Sequence, residues 1–180
     1  MSALERQPTN KNFLSPIGFQ FILARAPTVE YFCQAVTLPS VSIPEVRQPT
    51  PMGTSIPLPG DKIEYEPFAI RFRVDENMDN YLELLGWMES LTRPTDFDQY
   101  ISLTQGRRVI QTNNTYSDST IMILTSNKNA NLNVKMFDCF PMSLTALEFD
   151  AAVADVDYLE ASATFGYRRY ELERVLTSTN

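Results

Sequence analysis

The chain has 180 residues, 43% of them hydrophobic and 11% aromatic, which is enough to bury the core of one domain. It carries 15 Lys and Arg residues against 22 Asp and Glu residues, and the net charge of -7 argues against tight binding to nucleic acid or anionic lipid. Histidine is absent, so the usual general base, zinc ligand and pH switch of proteins are missing.

The start of the chain has no apolar signal region, and the sequence has no apolar run long enough to cross a bilayer. We therefore expect a protein that is made and kept in a cytoplasm. Residues 1–15 are polar and predicted as a loose arm, residues 16–173 as a single domain and residues 174–180 as a C-terminal tail. Cys33 and Cys139 each lie in an apolar run, which favours buried, reduced thiols.

Two strands are predicted near the start of the chain. In the first, Phe19, Phe21 and Leu23 alternate with Gln20, Ile22 and Ala24 until Pro27 stops the pattern. The second covers residues 31–38 and follows a short turn. We expect the two to pair as a hairpin.

Residues 39–66 are predicted as a long extended loop. Seven of the 12 prolines lie between Pro39 and Pro67, and they remove the backbone donors that a helix or a central strand needs. The apolar side chains of this segment would be poorly covered by their own domain, so contact with another chain is expected to cover them. They are Ile43, Val46, Met52, Ile56 and Leu58.

A strand and a helix follow the loop. The strand covers residues 68–74, with Phe68, Ile70 and Phe72 on a buried face and Arg71 and Arg73 on the other. The acidic and amide side chains of residues 75–77 are placed to cap a helix over about 78–93, which Pro94 ends, and this explains Asp75 and Glu76 better than paired catalytic carboxylates. The side chains predicted to pack this helix are Tyr81, Leu84, Leu85, Trp87 and Met88.

The second half of the chain is predicted to be mostly strands. Residues 95–119 have no clear pattern and are expected to project from the domain, while residues 120–125, 132–140 and 143–149 are predicted as strands. In the last long strand, Leu159, Ala161, Ala163, Phe165 and Tyr167 share one face, and Glu160, Ser162 and Thr164 share the other. The fold class is mainly β (α+β), an antiparallel barrel or sandwich with one helix packed outside.

No motif in the sequence indicates catalysis, a cofactor or a metal site. The chain has six glycines and neither nucleotide-binding glycine pattern. Asp150, Asp155 and Asp157 lack the further side-chain oxygens of a cation loop and are predicted to be a solvated turn. The basic pairs at 107–108 and 168–169 are predicted to form salt bridges between subunits.

An ordered set of short motifs resembles the tail tube proteins of T-even-type contractile phages and the related tube-fold proteins of their baseplates. The set is Phe19-Gln20-Phe21-Ile22-Leu23, Phe32-Cys33-Gln34-Ala35 with Leu38-Pro39, Pro59-Gly60-Asp61, the strand from Phe68 to Glu76, Trp87 in the helix, and a closing block from Phe137 to Tyr170. The resemblance covers roughly residues 13–172.

The resemblance implies a six-fold ring in which each subunit lends strands to a continuous inner β-barrel. Rings would stack into a hollow tube of the virion through which DNA leaves, after assembly in the host cytoplasm. The implied partners are copies of the chain itself, the tail sheath protein and the baseplate hub or tube-initiator proteins, with DNA only as transient cargo and no membrane. Alternatives are a baseplate tube-initiator or tube-terminator ring of the same fold and, more remotely, a monomeric ligand-binding β-sandwich.

Two surfaces are assigned to assembly on this basis. We expect the lumen wall to contain Arg71, Arg73, Glu160, Ser162 and Thr164. The loop that reaches the next ring is expected to use Val46, Met52, Ile56, Leu58 and Asp61.

Overall fold

The computed structural model describes residues 7, 12–51, 53–92, 115–149 and 158–175. These residues form 11 strands and two helices. The strands are β1 (Phe19–Leu23), β2 (Cys33–Val36), β3 (Val41–Ser42), β4 (Glu45–Pro49), β5 (Ser55–Pro59), β6 (Glu64–Tyr65), β7 (Phe68–Arg73), β8 (Ser117–Leu124), β9 (Ala130–Leu144), β10 (Glu160–Gly166) and β11 (Arg169–Arg174). The helices are α1 (Pro27–Phe32) and α2 (Asp79–Thr92), and neither is long and apolar enough to span a membrane.

Seven strands form one antiparallel sheet in the order β1-β8-β9-β10-β7-β2, with β11 paired to β9 as a branch. The 15-residue β9 joins the two halves of this sheet, because its first part pairs with β8 and β11 and its last part pairs with β10. In the described part of the chain the end strands β1 and β2 do not pair with each other, so the sheet is not a closed barrel.

The core lies between the two halves of the sheet and under α2. Phe68, Ile70 and Phe72 of β7 are buried, as are Ala161, Ala163 and Phe165 of β10 and both Leu84 and Trp87 of α2. The rings of Phe68 and Phe165 stack with 5.3 Å between their centroids. Burying a large apolar side chain contributes about 1.5 to 3 kcal/mol, so this cluster is the main source of stability. The alternation predicted for β7 and β10 is confirmed.

The hairpin predicted at the start of the chain is wrong. β1 pairs with β8 and β2 pairs with β7, and the helix α1 lies between them. Pro27 starts this helix, where a proline is tolerated because the first-turn N–H has no helical partner, and Val29 is the buried residue of the helix. Residues 31–32, predicted as strand, belong to α1.

The two strands predicted over 132–140 and 143–149 are in fact one strand, β9, and residues 145–149 lie outside it. Pro141 does not interrupt the strand because it pairs with Phe165 where the register with β10 shifts. The strand bends at Asp138, which has a positive φ of 57°. The last predicted strand is also divided, because Tyr167 and Arg168 separate β10 from β11.

The predicted helix over 78–93 corresponds to α2, and its start is capped as expected. The Asp75 carboxylate accepts a hydrogen bond from the backbone N–H of Asn80 (3.2 Å), and the Asn80 side chain donates to the carbonyl of Arg73 (2.7 Å). Tyr81 and Met88 are half-buried. Leu85 differs from the expectation, because it lies on the outer side of α2 and is exposed.

The predicted loop over 39–66 is not structureless. β3 pairs with β6, and β4 pairs with β5, so the segment is an antiparallel two-stranded projection. Ser117 to Ser119, predicted to project, belong to β8. Residues 95–114 of this stretch, with Arg107 and Arg108, lie outside the described residues, as do Met52 and the aspartates at 150, 155 and 157.

Candidate assembly surfaces

The first candidate surface is the ribbon, which we define as β4, β5 and the turn between them, residues 45–59. Every residue of its two strands is exposed. Gly53 in the turn has a φ of 78°, a conformation that favours glycine. A ribbon of two strands buries too little to be stable alone, so it depends on whatever covers it.

The ribbon has two chemically different faces. Val46 pairs with Leu58 and Gln48 pairs with Ile56 on one face, which we call the apolar face. Val46 is 56% exposed, Ile56 51% and Leu58 42%. The other face carries Glu45 and Arg47, joined by a salt bridge of 2.6 Å, and three prolines.

The root of the ribbon is fixed to the body. Gly60 N–H donates to the Pro44 carbonyl (2.8 Å), and a Cβ added at Gly60 would lie 2.5 Å from that oxygen. The Tyr65 ring of β6 lies 5.9 Å from the Tyr167 ring and 5.7 Å from the Tyr170 ring. These contacts set the direction in which the ribbon leaves the body, and Asp61 is exposed beside them.

The second candidate surface is the polar face of β7 and β10. Arg71 and Arg73 lie on the side of β7 opposite its buried phenylalanines, next to Glu160, Ser162 and Thr164 of β10. Arg71 Nε is 3.6 Å from Glu160 Oε2, and Ser162 Oγ donates to the Ile70 carbonyl (3.0 Å). The structure therefore brings all five predicted lumen residues together on one face.

Gln34 of β2 also belongs to the polar face, although no pattern in the sequence indicates this. The side-chain amide of Gln34 is oriented so that both its nitrogen and its oxygen form hydrogen bonds. The nitrogen donates to Glu160 (3.0 Å), and the oxygen accepts from Arg73. The Arg73 guanidinium also lies over the Tyr158 ring, 4.7 Å from its centroid. The charges of both arginines are thus held among neighbouring polar and aromatic groups.

The outer side of α2 is a third exposed surface. Leu82 and Leu85 are exposed along it, and a Cβ added at Gly86 would meet no atom within 4 Å. Tyr31 of α1 is exposed as well, with its ring edge-on to Phe32. This surface is the convex side of a helix.

The ionisable groups in the described ranges do not form a reactive site. Burial raises the pKa of Cys33 and of Cys139 to about 11, so neither thiol is an activated nucleophile. Burial also raises the pKa of Tyr167 to about 12, and the nearby Tyr170 adds to the shift. No group of His, Cys, Asp or Glu side chains able to hold a metal ion occurs in the described part of the chain.

The basic pair at 168–169 does not match the salt bridges between subunits that the sequence predicts. Arg168 Nε lies 2.9 Å from Asp138 Oδ2, and Arg169 Nη1 lies 2.6 Å from Glu171 Oε1. Both arginines are therefore paired within their own chain. The guanidinium of Arg169 also lies over the Phe137 ring, 4.9 Å from its centroid.

The family is decided by a match that spans nearly the whole sequence. The family model described as phage tail tube protein matches residues 3–173. The chain belongs to the phage tail tube protein family. This confirms the resemblance that the ordered motifs indicate, and it confirms that the chain is a structural tail protein of the tube type and not an enzyme.

Solved structures share the fold of this tail tube protein. A chain of the PVC extracellular contractile injection system, in its sheath-tube complex in the extended state, has a TM-score of 0.57 at 14% identity, covering 97% of this chain and 99% of that one. A chain of the anti-feeding prophage tube-terminating cap scores 0.59 at 12% identity, covering 97% and 100%. A chain of the six-fold symmetrised anti-feeding prophage baseplate scores 0.58 at 12% identity, covering 86% and 90%. No curated protein sequence matches the chain.

Proposed function

We propose that this tail tube protein forms hexameric rings, that the rings stack into the inner tube of a contractile phage tail, and that DNA leaves the virion through the tube. The ribbon carries the proposal. It projects from the body with all its strand residues exposed, and the described part of the chain leaves its apolar face uncovered. An element of this kind is explained by contact with another chain.

Ring closure is assigned to the free strand edges. β1 and β2 end the sheet, and the outer edge of β11 is unpaired in the described part of the chain. A free edge presents a row of backbone N–H and C=O groups that can pair with another strand. Six copies related by a closed rotation would satisfy these groups in a regular way.

The polar face is assigned to the lumen. Its two arginines are accompanied by Glu160 and Gln34, so it offers no isolated cluster of positive charge. Phosphates bind tightly where clustered Lys and Arg release counterions, and the net charge of the whole chain is -7. A wall of this composition lets DNA pass without holding it.

The proposed partners are further copies of the chain, a tail sheath protein around the tube and the hub or initiator proteins of a baseplate. The similar chains come from a sheath-tube complex, a tube cap and a baseplate, which is the setting we propose here. The virion tail is the proposed location, after assembly in the host cytoplasm.

Electron microscopy of the purified protein tests the function. We expect hollow cylinders from the wild type and, at most, isolated rings from a variant that lacks residues 45–60. The deletion should leave the body folded, because the N–H of Gly60 bonds the carbonyl of Pro44 and the two ends of the cut lie side by side. A wild-type protein that stays monomeric at high concentration would overturn the proposal and favour a ligand-binding sandwich.

A baseplate initiator ring or a tube-terminator ring is the second candidate. It is favoured by one observation: the cap and baseplate chains reach TM-scores of 0.59 and 0.58, as high as the 0.57 of the sheath-tube complex. A tube protein is present in many copies per particle, whereas an initiator or terminator forms a single ring. Copy number from gel densities of purified virions separates the two.

A further inference from the structure

The prolines in the two strands of the ribbon lie on its outer edges. Gly60 pairs with Pro44, and Thr50 pairs with Thr54, through backbone hydrogen bonds at the two ends of the ladder. Antiparallel pairs alternate between hydrogen-bonded and non-hydrogen-bonded, so Pro57 lies in a non-hydrogen-bonded pair. The nitrogens of such pairs point away from the partner strand. The same holds for Pro49 and Pro59, which pair with Ser55 and Glu45.

Prolines at these positions remove backbone N–H donors from the two edges of the ribbon, where a strand of another subunit would have to pair. On the β5 edge, Pro57 and Pro59 have no N–H, and on the β4 edge only Glu45 and Arg47 keep theirs before Pro49. Prolines on an exposed edge prevent strand addition. The ribbon is therefore poorly suited to extend a sheet of another subunit, and its contacts must come from side chains.

The apolar face is the side that a neighbour can bury. Val46, Ile56 and Leu58 share it, and each has between 42% and 56% of its surface exposed. The opposite face presents the Glu45 and Arg47 salt bridge with both side chains in solvent. Burying the charged face would remove water from two ionised groups, whereas burying the apolar face is favourable.

A concave apolar surface of the same chain matches this face. Where the end strands β1 and β2 approach without pairing, they border a groove of about 340 Å³, which we call the seam groove. Its apolar lining includes Leu14, Phe19, Val36, Leu38, Ile121 and Ile123. Charged side chains are missing from its lining in the described part of the chain. The exposed leucines of α2, by contrast, lie on a convex helix.

We infer that the apolar face of the ribbon of one subunit binds in the seam groove of a second copy, through side chains and not by strand addition. The inference rests on the proposed function, since it names the surface that receives the ribbon when rings stack. It accounts for the exposed apolar face of the ribbon, for the groove and for the prolines on the ribbon edges.

Paired aspartate substitutions test the ribbon. Ile56→Asp places a charge on the apolar face, and Pro57→Asp places the same charge on the adjacent residue of the opposite face. Because a buried unpaired charge is costly, Ile56→Asp should lower the yield of stacked tubes at least about tenfold, while Pro57→Asp keeps it. Tubes in equal yield from both variants would overturn the inference.

A second pair of substitutions tests the seam groove. Leu38→Asp alters the groove lining, and Leu82→Asp alters an α2 residue of similar exposure, 53% against 49%. The inference requires Leu38→Asp to lose stacking and Leu82→Asp to retain it. Circular dichroism of each subunit verifies that the body is folded, because both side chains are exposed.

Cross-linking between copies gives a direct readout. Subunits carrying Ile56→Cys are mixed with subunits carrying Leu38→Cys, both with Cys33→Ser, and the assembled tubes are oxidised. A disulfide-linked dimer is expected, and none when Arg47→Cys replaces Ile56→Cys. Tubes that form without this cross-link overturn the inference alone, whereas a wild type that forms no assembly overturns the proposed function and the inference together.

Discussion

The guanidinium of Arg168 forms an ion pair with the carboxylate of Asp138, with 2.9 Å between Nε and Oδ2, at the bend that joins the two halves of the sheet. The backbone N–H of Arg168 donates to the Phe137 carbonyl (3.0 Å), and that of Asp138 donates to the Asp118 carboxylate (3.1 Å). Asp138 has a φ of 57°. The bend is therefore held by a backbone conformation and a set of polar contacts together.

Substitutions at the bend separate these two contributions. Asp138→Val should lower the free energy of unfolding by about 1 to 2 kcal/mol more than Asp138→Asn, because a β-branched residue is strained at positive φ and asparagine is tolerated there. Arg168→Ala should cost less than about 1 kcal/mol, because the Arg168 side chain is largely exposed. Urea unfolding curves measure all three, and equal costs for valine and asparagine would contradict the role of the backbone.

Local patterns in the sequence were sufficient to predict some elements of the fold. The alternation of β7 and β10 predicts their buried faces because a strand turns successive side chains to opposite sides. The spacing of Leu84 and Trp87, with a capping carboxylate before them, predicts α2. The same spacing also predicts that Leu85 packs against the core. A leucine at the margin of the apolar stripe of a helix, however, can face either the core or the solvent.

The pairing of strands that are distant in the sequence could not be predicted. β1 pairs with β8 about a hundred residues later, and nothing in either strand specifies that partner. The position of Gln34 on the polar face depends on the pairing of β2 with β7, so it was missed for the same reason. The prolines of residues 39–66 suggested a loop. Pro57 and Pro59, however, are two residues apart, so both lie on the same outer edge of a strand, where no partner strand needs their N–H groups.

Trp87 is expected to be the most sensitive position of α2. It is 3% exposed, its Nε1–H donates to the Thr115 carbonyl (3.2 Å), and its ring lies 6.1 Å from that of Phe165. Trp87→Ala should cost about 3 to 5 kcal/mol, because it leaves a large cavity. Trp87→Phe should cost less, since it loses the hydrogen bond but keeps most of the buried surface. Thermal unfolding followed by circular dichroism measures both, and a small cost for alanine would contradict this packing.

Gly86 should be replaceable with a gain in stability. It lies within α2, and an added Cβ would meet no atom within 4 Å. Glycine in a helix interior is about 0.5 to 1 kcal/mol less favourable than alanine, so Gly86→Ala should raise the free energy of unfolding by about that amount. Gly166→Ala is the matched comparison, because its Cβ would lie 2.8 Å from the Phe140 ring. A loss of stability in the Gly86 variant would argue against this open surface.

The two thiols should react slowly in the folded subunit. Burial raises the pKa of both Cys33 and Cys139 to about 11, and the thiolate is the reactive form. At pH 8 we expect slow alkylation by iodoacetamide that becomes fast in denaturant, with Cys139 slower because it is fully buried. Stability should also fall as pH rises from about 9 towards 11, because the unfolded thiols ionise first. Fast labelling of Cys139 in the native protein would contradict its burial.

Gly60→Ala should damage the ribbon while leaving the body intact. The new Cβ would lie 2.5 Å from the Pro44 carbonyl oxygen, and because this atom is backbone, the contact is relieved only by separating the two strands at the ribbon root. The core lies elsewhere, so the urea midpoint of the body should change little, while ribbon strands become cleavable by protease and stacking is lost. Gly53→Ala at the turn is the control, since its Cβ meets no atom and the strain of a positive φ stays local. Normal tubes from Gly60→Ala would mean that the geometry of the ribbon root does not matter for stacking.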